Sequence, residues 1–182
     1  MRKIVVSEFV SLDGIIEHPA WTMPFIGDEQ NAFKFAELKA ADSLLLGRVT
    51  YEGFAAAWPG MAAETGEYGE MMNGYPKYVA STTLDSLEWN ATLLGEDIAA
   101  ELTALKQRPG RDILVFGSGK FLETLLRHDL VDEYRLMIYP IVVGKGQRLF
   151  GDGIDTTTLK LTDTKTFSTG VVVLTYEPAR NA

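Results

Sequence analysis

The chain has 182 residues, of which 46% are hydrophobic and 23% charged, with no cysteine and a formal net charge of −8. That length and apolar share predict one domain, residues 1–182, whose core needs neither disulfides nor metal, and the missing cysteine removes thiolate nucleophiles and cysteine metal sites. The negative charge argues against a nucleic-acid partner, because such binding draws its affinity from Lys and Arg on phosphates, and two histidines, His18 and His128, are too few for a metal cage.

No run approaches the roughly 20 apolar residues that span a bilayer. The apolar run after Met1-Arg2-Lys3 stops by Glu8, too short for a signal-peptide core. The expectation is a cytoplasmic protein with no membrane partner, in which any positive charge that meets a phosphate is local.

Residues 2–10 are β-branched and run into Ser11-Leu12-Asp13-Gly14, a strand followed by a turn. Residues 15–27 carry Pro19, Pro24 and Gly27 and read as a loop. Asp28 caps a helix whose apolar positions fall near one side until Asp42. Residues 43–47 form a short apolar strand closing on glycine, and residues 48–54 a tight turn and helix start. Residues 59–76, rich in Gly, Met, Glu and Pro, read as a surface excursion with room for a short helix over 63–72.

Strand 77–81, helix 97–106, strand 112–116 and an amphipathic helix over 121–126 continue the alternation. A long strand over 133–143 is interrupted by Pro140, and 159–167 with 171–176 form a hairpin around Ser168-Thr169-Gly170. This order predicts an α/β fold: a mostly parallel mixed sheet between two helical layers, with a C-terminal antiparallel hairpin. Ligands of such sheets bind beyond the carboxyl ends of the strands.

Three strand ends carry candidate binding groups. At Gly117-Ser118-Gly119-Lys120 an apolar strand meets two glycines and a helix start, which fits a diphosphate on backbone N–H groups, or a plain tight connection. At Gly47-Arg48-Val49-Thr50 the guanidinium suits a phosphate monoester, or is simply solvated beside a helix start. At Ser81-Thr82-Thr83 the hydroxyls either meet phosphate and ribose or form a turn. Asp13, after the first strand, and Asn31, on the first helix, are placed beside a substrate, although an Asp in Leu-Asp-Gly also serves as a turn residue. Trp21 and His18 sit on a segment that acts either as a lid or as a packed-down loop.

Taken together, Val10-Ser11-Leu12-Asp13-Gly14, Leu46-Gly47-Arg48-Val49-Thr50-Tyr51-Glu52, Val79-Ala80-Ser81-Thr82-Thr83, Phe116-Gly117-Ser118-Gly119-Lys120 and residues 139–146 resemble the dihydrofolate reductase superfamily. Within it the chain is most similar to the reductase domain of riboflavin biosynthesis and its stand-alone bacterial relatives. The resemblance implies a dihydrofolate reductase-like three-layer fold and an NADPH-dependent oxidoreductase acting on a pterin or on a substrate like 5-amino-6-(5-phosphoribosylamino)uracil. It places Gly47, Arg48, Val49, Thr50, Ser81 and Thr82 around the adenosine phosphates, and Gly117, Ser118, Gly119 and Lys120 under the diphosphate.

The resemblance breaks on the first helix, where the acid of the folate enzymes falls on Asn31 when counted back from Gly47, although Glu29 and Glu37 are close enough for a shifted alignment to restore one. An amide cannot carry the charge that pairs with a pteridine. A phosphorylated substrate needs a basic group, for which Arg148 is the candidate, although it equally suits the cap of a neighbouring helix. No catalytic residue or metal site is assigned. The alternative is a non-catalytic NADP(H)-binding module. A homodimer is expected, joined through the strand over 133–143 or the terminal hairpin.

Overall fold

The computed structural model describes residues 1–179. Strand β1 (Ile4–Ser11) is buried on both faces, as expected of a central parallel strand rather than an alternating one. A short 3-10 helix (Pro19–Phe25) follows, then α1 (Asp28–Ala40), β2 (Ala41–Gly47), α2 (Arg48–Thr65) and α3 (Glu67–Gly74). The chain continues through β3 (Lys77–Ala80), β4 (Ala91–Leu93), α4 (Ile98–Gln107), β5 (Asp112–Phe116), α5 (Gly119–Arg127), β6 (Glu133–Tyr139), β7 (Leu159–Thr166) and β8 (Val172–Pro178).

These strands make one sheet in the order β4-β3-β2-β5-β1-β6-β8-β7. Pairings from β4 through β6 are parallel, and β8 joins β6 and β7 antiparallel, so the predicted α/β architecture holds. Successive residues of the central strands serve opposite faces. Ile4, Val6, Leu45, Ile113 and Val115 pack under Leu102 and Leu105 of α4 and Phe121, Leu122 and Leu125 of α5. Val5, Leu44, Leu46, Leu114 and Phe116 pack under Leu38 of α1, Tyr51 of α2 and Met72 of α3. Each fully buried side chain of this kind stabilises the fold by roughly 1.5–3 kcal/mol.

Four expectations need correction. The stretch 59–76 is no irregular excursion but a helical pair, because α2 runs on past Pro59 and α3 follows at once. Its glycines misled the reading. Gly69 is there for contact: a Cβ would collide with Thr65 and lie 3.1 Å from Ala62 Cα. Secondly, the strand predicted over 133–143 ends at Tyr139, since Pro140 has no N–H to donate to the sheet. Thirdly, part of the 15–27 loop is the 3-10 helix, begun by Pro19. Finally, β4 went unseen, because three residues carry no periodicity. No helix among the described residues is long and apolar enough to cross a membrane.

Beside β4, Lys77 is completely buried, its Nζ donating to the Asn73 carbonyl at 2.9 Å and lying 3.9 Å from the Trp89 ring centroid. Burial lowers its pKa from 10.5 to about 8. Between those two values the unfolded chain holds a proton that the folded chain has released, so stability rises with pH across that window. We expect urea-unfolding midpoints to climb from about pH 7.5 to about pH 10 in the parent and to stay flatter in Lys77→Met; parallel profiles would contradict this account.

Candidate functional site

Because β2 lies between β3 and β5 and all three run parallel, their carboxyl ends share one edge of the sheet. The turn after each end opens into the same cavity of about 2160 Å³, whose lining includes Gly47, Arg48, Val49, Thr50, Ser81, Thr82, Gly117, Ser118, Gly119 and Lys120. All ten residues singled out for a dinucleotide therefore meet in one place. A single small-molecule site usually occupies roughly 300–1,000 Å³, so this space accommodates two ligands side by side.

The two glycine-bearing turns are stitched together. The Gly47 N–H donates to Ser118 Oγ at 2.8 Å, Ser118 Oγ donates to the Phe116 carbonyl at 3.0 Å, and the Ser118 N–H donates to Thr50 Oγ1 at 3.0 Å. Ser118 holds a left-handed backbone (φ 70°), a cost of about 1–2 kcal/mol that three hydrogen bonds of about 1 kcal/mol each offset. Gly117 is also left-handed (φ 56°), and a Cβ there would lie 3.0 Å from Thr50 Oγ1. Ser118 and Thr50 thus set the shape of the turn. The first helical bond of α5 runs from the Leu122 N–H to the Ser118 carbonyl, so the N–H groups of residues 119–121 precede the helical ladder.

Arg48, at the start of α2, is about half exposed and pairs with Glu52 through Nη1 at 3.0 Å. Lys120 is exposed on the first turn of α5. Ser81 Oγ accepts from the N–H groups of Thr83 and Leu84, both at 3.1 Å, and shares a hydroxyl–hydroxyl bond with Thr83 Oγ1 at 3.4 Å, which makes it a turn former at the cavity wall.

Of the residues placed beside a substrate, only Asn31 reaches this cavity. Asp13 is elsewhere: its carboxylate accepts from the Ser11 hydroxyl at 2.6 Å and from the N–H groups of Val143 and Gly144, pinning the loop after β6. Those bonds, the Ser11 hydroxyl first, lower its pKa to about 2. Trp21 does not line the cavity either. It packs edge-on against Tyr139 at 5.5 Å and donates to the Glu17 carbonyl, so it anchors its segment, while His18, Pro19 and Thr22 face the space. Arg148 is also outside the lining. Neither alternative acid on α1 replaces Asn31, because Glu29 accepts from the N–H and hydroxyl of Ser168 and Glu37 is buried in ion pairs.

Sequence reasoning missed Lys34 and Glu8. Lys34 Nζ donates to Ser7 Oγ and Glu37 Oε2, each at 2.7 Å, and sits 4.2 Å from the Phe116 ring centroid at the cavity wall. Glu8 is 4% exposed, lines the cavity and has no hydrogen-bond partner for Oε1 among the described residues. A charged residue in the middle of an apolar strand was the available signal for Glu8. Lys34, one of several helix lysines, gave none.

The chain belongs to the RibD C-terminal domain family, whose model matches residues 2–173. Among curated sequences it resembles the uncharacterized protein YyaP of Bacillus subtilis, 33% identical over 96% of this chain and 94% of that one. Among solved structures it resembles a provisionally assigned riboflavin biosynthesis protein of Shewanella sp. PV-4, with a TM-score of 0.77, 23% identity and coverage of 98% and 99% of the two chains. Dihydrofolate reductase from Enterococcus faecalis, complexed with NADP(H), shares the fold at a TM-score of 0.61 and 15% identity, over 98% of this chain and 97% of that one.

Burial pushes the Glu8 carboxyl well above the ordinary carboxylate range, with the charge of Lys34 opposing. The folded chain then keeps a proton that the unfolded chain releases above 4.5, and the associated stability is lost as pH rises through the folded value. Glu8→Gln removes the ionisation and keeps the shape. We expect it to match the parent near pH 4 and to be the more stable of the two at about pH 8, read by urea denaturation; a gap independent of pH would show that Glu8 holds no such proton.

Proposed function

We propose that this chain is an NADPH-dependent reductase that passes hydride to a small heterocyclic substrate. The observation that carries this reading is the convergence of two helix N-termini, α2 with Arg48 and α5 with Lys120, on one cavity roomy enough for a dinucleotide and an acceptor together. Helix N-termini favour anions through unpaired N–H groups and the positive end of the helix dipole. In this arrangement the N–H groups of residues 119–121 and Lys120 hold the diphosphate, while Arg48, Ser81 and Thr82 hold the phosphate on the adenosine ribose. Arg48 does so by exchanging its exposed Glu52 partner, a surface pair worth little by itself.

NADPH supplies the hydride when bound. The chain's own groups fix its position through the stitched turns, and the 3-10 segment contributes Thr22 to the cavity wall. The same reading takes residues 1–182 as one cytoplasmic domain that pairs as a homodimer through the strand over 133–143 or the terminal hairpin. A module that binds NADP(H) without turnover is the competing reading, favoured by the amide at Asn31; oxidation of NADPH by an acceptor separates the two.

Calorimetric titration with NADPH and with NADH tests the cofactor assignment. We expect binding on the order of 10⁻⁶ M for NADPH and much weaker binding for NADH. Arg48→Ala should weaken NADPH about tenfold and leave NADH nearly unchanged, the share of one charge-assisted interaction. Equal losses for both cofactors would remove Arg48 from the phosphate site.

A further inference from the structure

The half of the cavity lined by α1, α2 and α3 has an aromatic wall, which starts at Phe116 beside the stitched turns. Phe116 at the end of β5 meets Phe54 of α2 at 6.3 Å between centroids, Phe54 meets Trp58 at 6.4 Å, Trp58 meets Tyr68 of α3 at 5.5 Å, and Tyr68 stacks on Phe35 of α1 at 6.4 Å. All five rings line the cavity. Such a wall suits a flat ring system, which buries large area with little loss of conformational freedom.

Positive charge is scarce in this half, and the buried Glu8 carboxyl also lines the cavity within electrostatic reach of Lys34. Of the lysines and arginines lining the whole cavity among the described residues, Arg48 and Lys120 stand at the helix N-termini, which leaves Lys34. Lys39 does not line the cavity; it lies against Phe35 and is paired with Glu67 at 3.1 Å. Glu67 itself is on the wall. Arg148, the basic group expected for a substrate phosphate, stands outside, its backbone bridged to that of Ile15. A phosphate would meet no unpaired cation here, and it would meet the Glu67 carboxylate.

Lys34 is held in place for a particular task. Ser7 and Glu37 take two of its three N–H donors, Ser7 Oγ in turn donates to Glu37 Oε2 at 2.9 Å, and Arg135 stands 3.6 Å from Glu37 Oε1. Its charge is already answered by Glu37. The remaining donor suits a neutral carbonyl better than a second anion, and it repels an amidine-like or protonated ring edge. Asn31, three residues earlier on the same helix face and also on the cavity wall, offers one amide donor and one acceptor to the ring edge.

We propose that the acceptor site between α1 and the α2–α3 pair takes a planar, unphosphorylated heteroaromatic ring and receives one of its carbonyl oxygens on Lys34. This deepens the reductase reading and rests on it for the word acceptor, but the ring site stands on the aromatic wall and Lys34 alone.

The test is calorimetry on protein saturated with NADP⁺, which binds without turnover, using two pairs of probes. Lumazine and 2,4-diaminopteridine share a bicycle and differ in carbonyls against amines; riboflavin and its 5′-phosphate differ in the phosphate. We expect lumazine to bind about tenfold or more tightly than the diamine, and riboflavin phosphate to gain nothing over riboflavin. Lys34→Met should erase the lumazine preference with NADP⁺ affinity unchanged, and Lys34→Arg should restore part of it. Equal binding of the two pteridines, or a tenfold advantage for the phosphate, would overturn the proposal. Should Lys34→Met not fold, the two pairs on the parent protein decide alone. If NADP⁺ fails to bind while the free protein still prefers lumazine, the reductase reading falls and the ring site stands; the reverse pattern removes the ring site and keeps the cofactor.

Discussion

Two hydrogen bonds, from the Gly47 N–H to Ser118 Oγ and from the Ser118 N–H to Thr50 Oγ1, tie together the turns that leave β2 and β5, and the geometry of the cavity depends on them. Adjacent parallel strands deliver their ends to the same edge, but nothing in strand pairing fixes how the turns beyond them are aimed. The Ser118 bonds do. They compensate for its left-handed backbone and bring Gly47 within reach of α5, whose first residues, 119–121, precede the helical ladder and line the cavity. Thr50 and Ser118, read in the sequence as ligand contacts, spend polar atoms on holding the frame.

On the other side of the cavity the organising device is a buried polar network. Ser7, Lys34, Glu37 and Arg135 link α1, β1 and β6 through side chains that are mostly hidden from water. Burying charges costs free energy unless they are paired, and here the pairing is nearly complete, with Glu37 Oε1 left outside hydrogen-bond range. Glu8 is the contrasting case. It has no hydrogen-bond partner for Oε1 among the described residues, and burial pushes its carboxyl well above the ordinary carboxylate range, which favours the neutral acid. An apolar core would be simpler to stabilise, so polar groups in these positions direct attention to what the cavity holds.

Much of the fold was legible. β5, α1 and the terminal hairpin fell close to their predicted bounds because periodicity and turn residues agreed, although the N-cap of α1 is Gly27 and Asp28 is its first helical residue. The α2–α3 pair was hidden by Pro59 and by glycines whose role is close packing rather than chain reversal. The end of β6 depended on Pro140, and β4 on the edge of β3, neither of which leaves a periodic trace.

By itself the sequence determined the parallel α/β order and the three glycine- or hydroxyl-bearing strand ends, because these follow from local pattern and from the rule that such ends share an edge. Only the tertiary structure decided which polar residues face the cavity. Asp13 turned out to fasten the loop after β6, Trp21 to pack on Tyr139, and Lys34 and Glu8 to stand on the cavity wall. The physical reason is that a side chain's partner lies tens of residues away in the chain, Ser7 for Lys34 and Val143 for Asp13, and no local propensity encodes a contact over that distance.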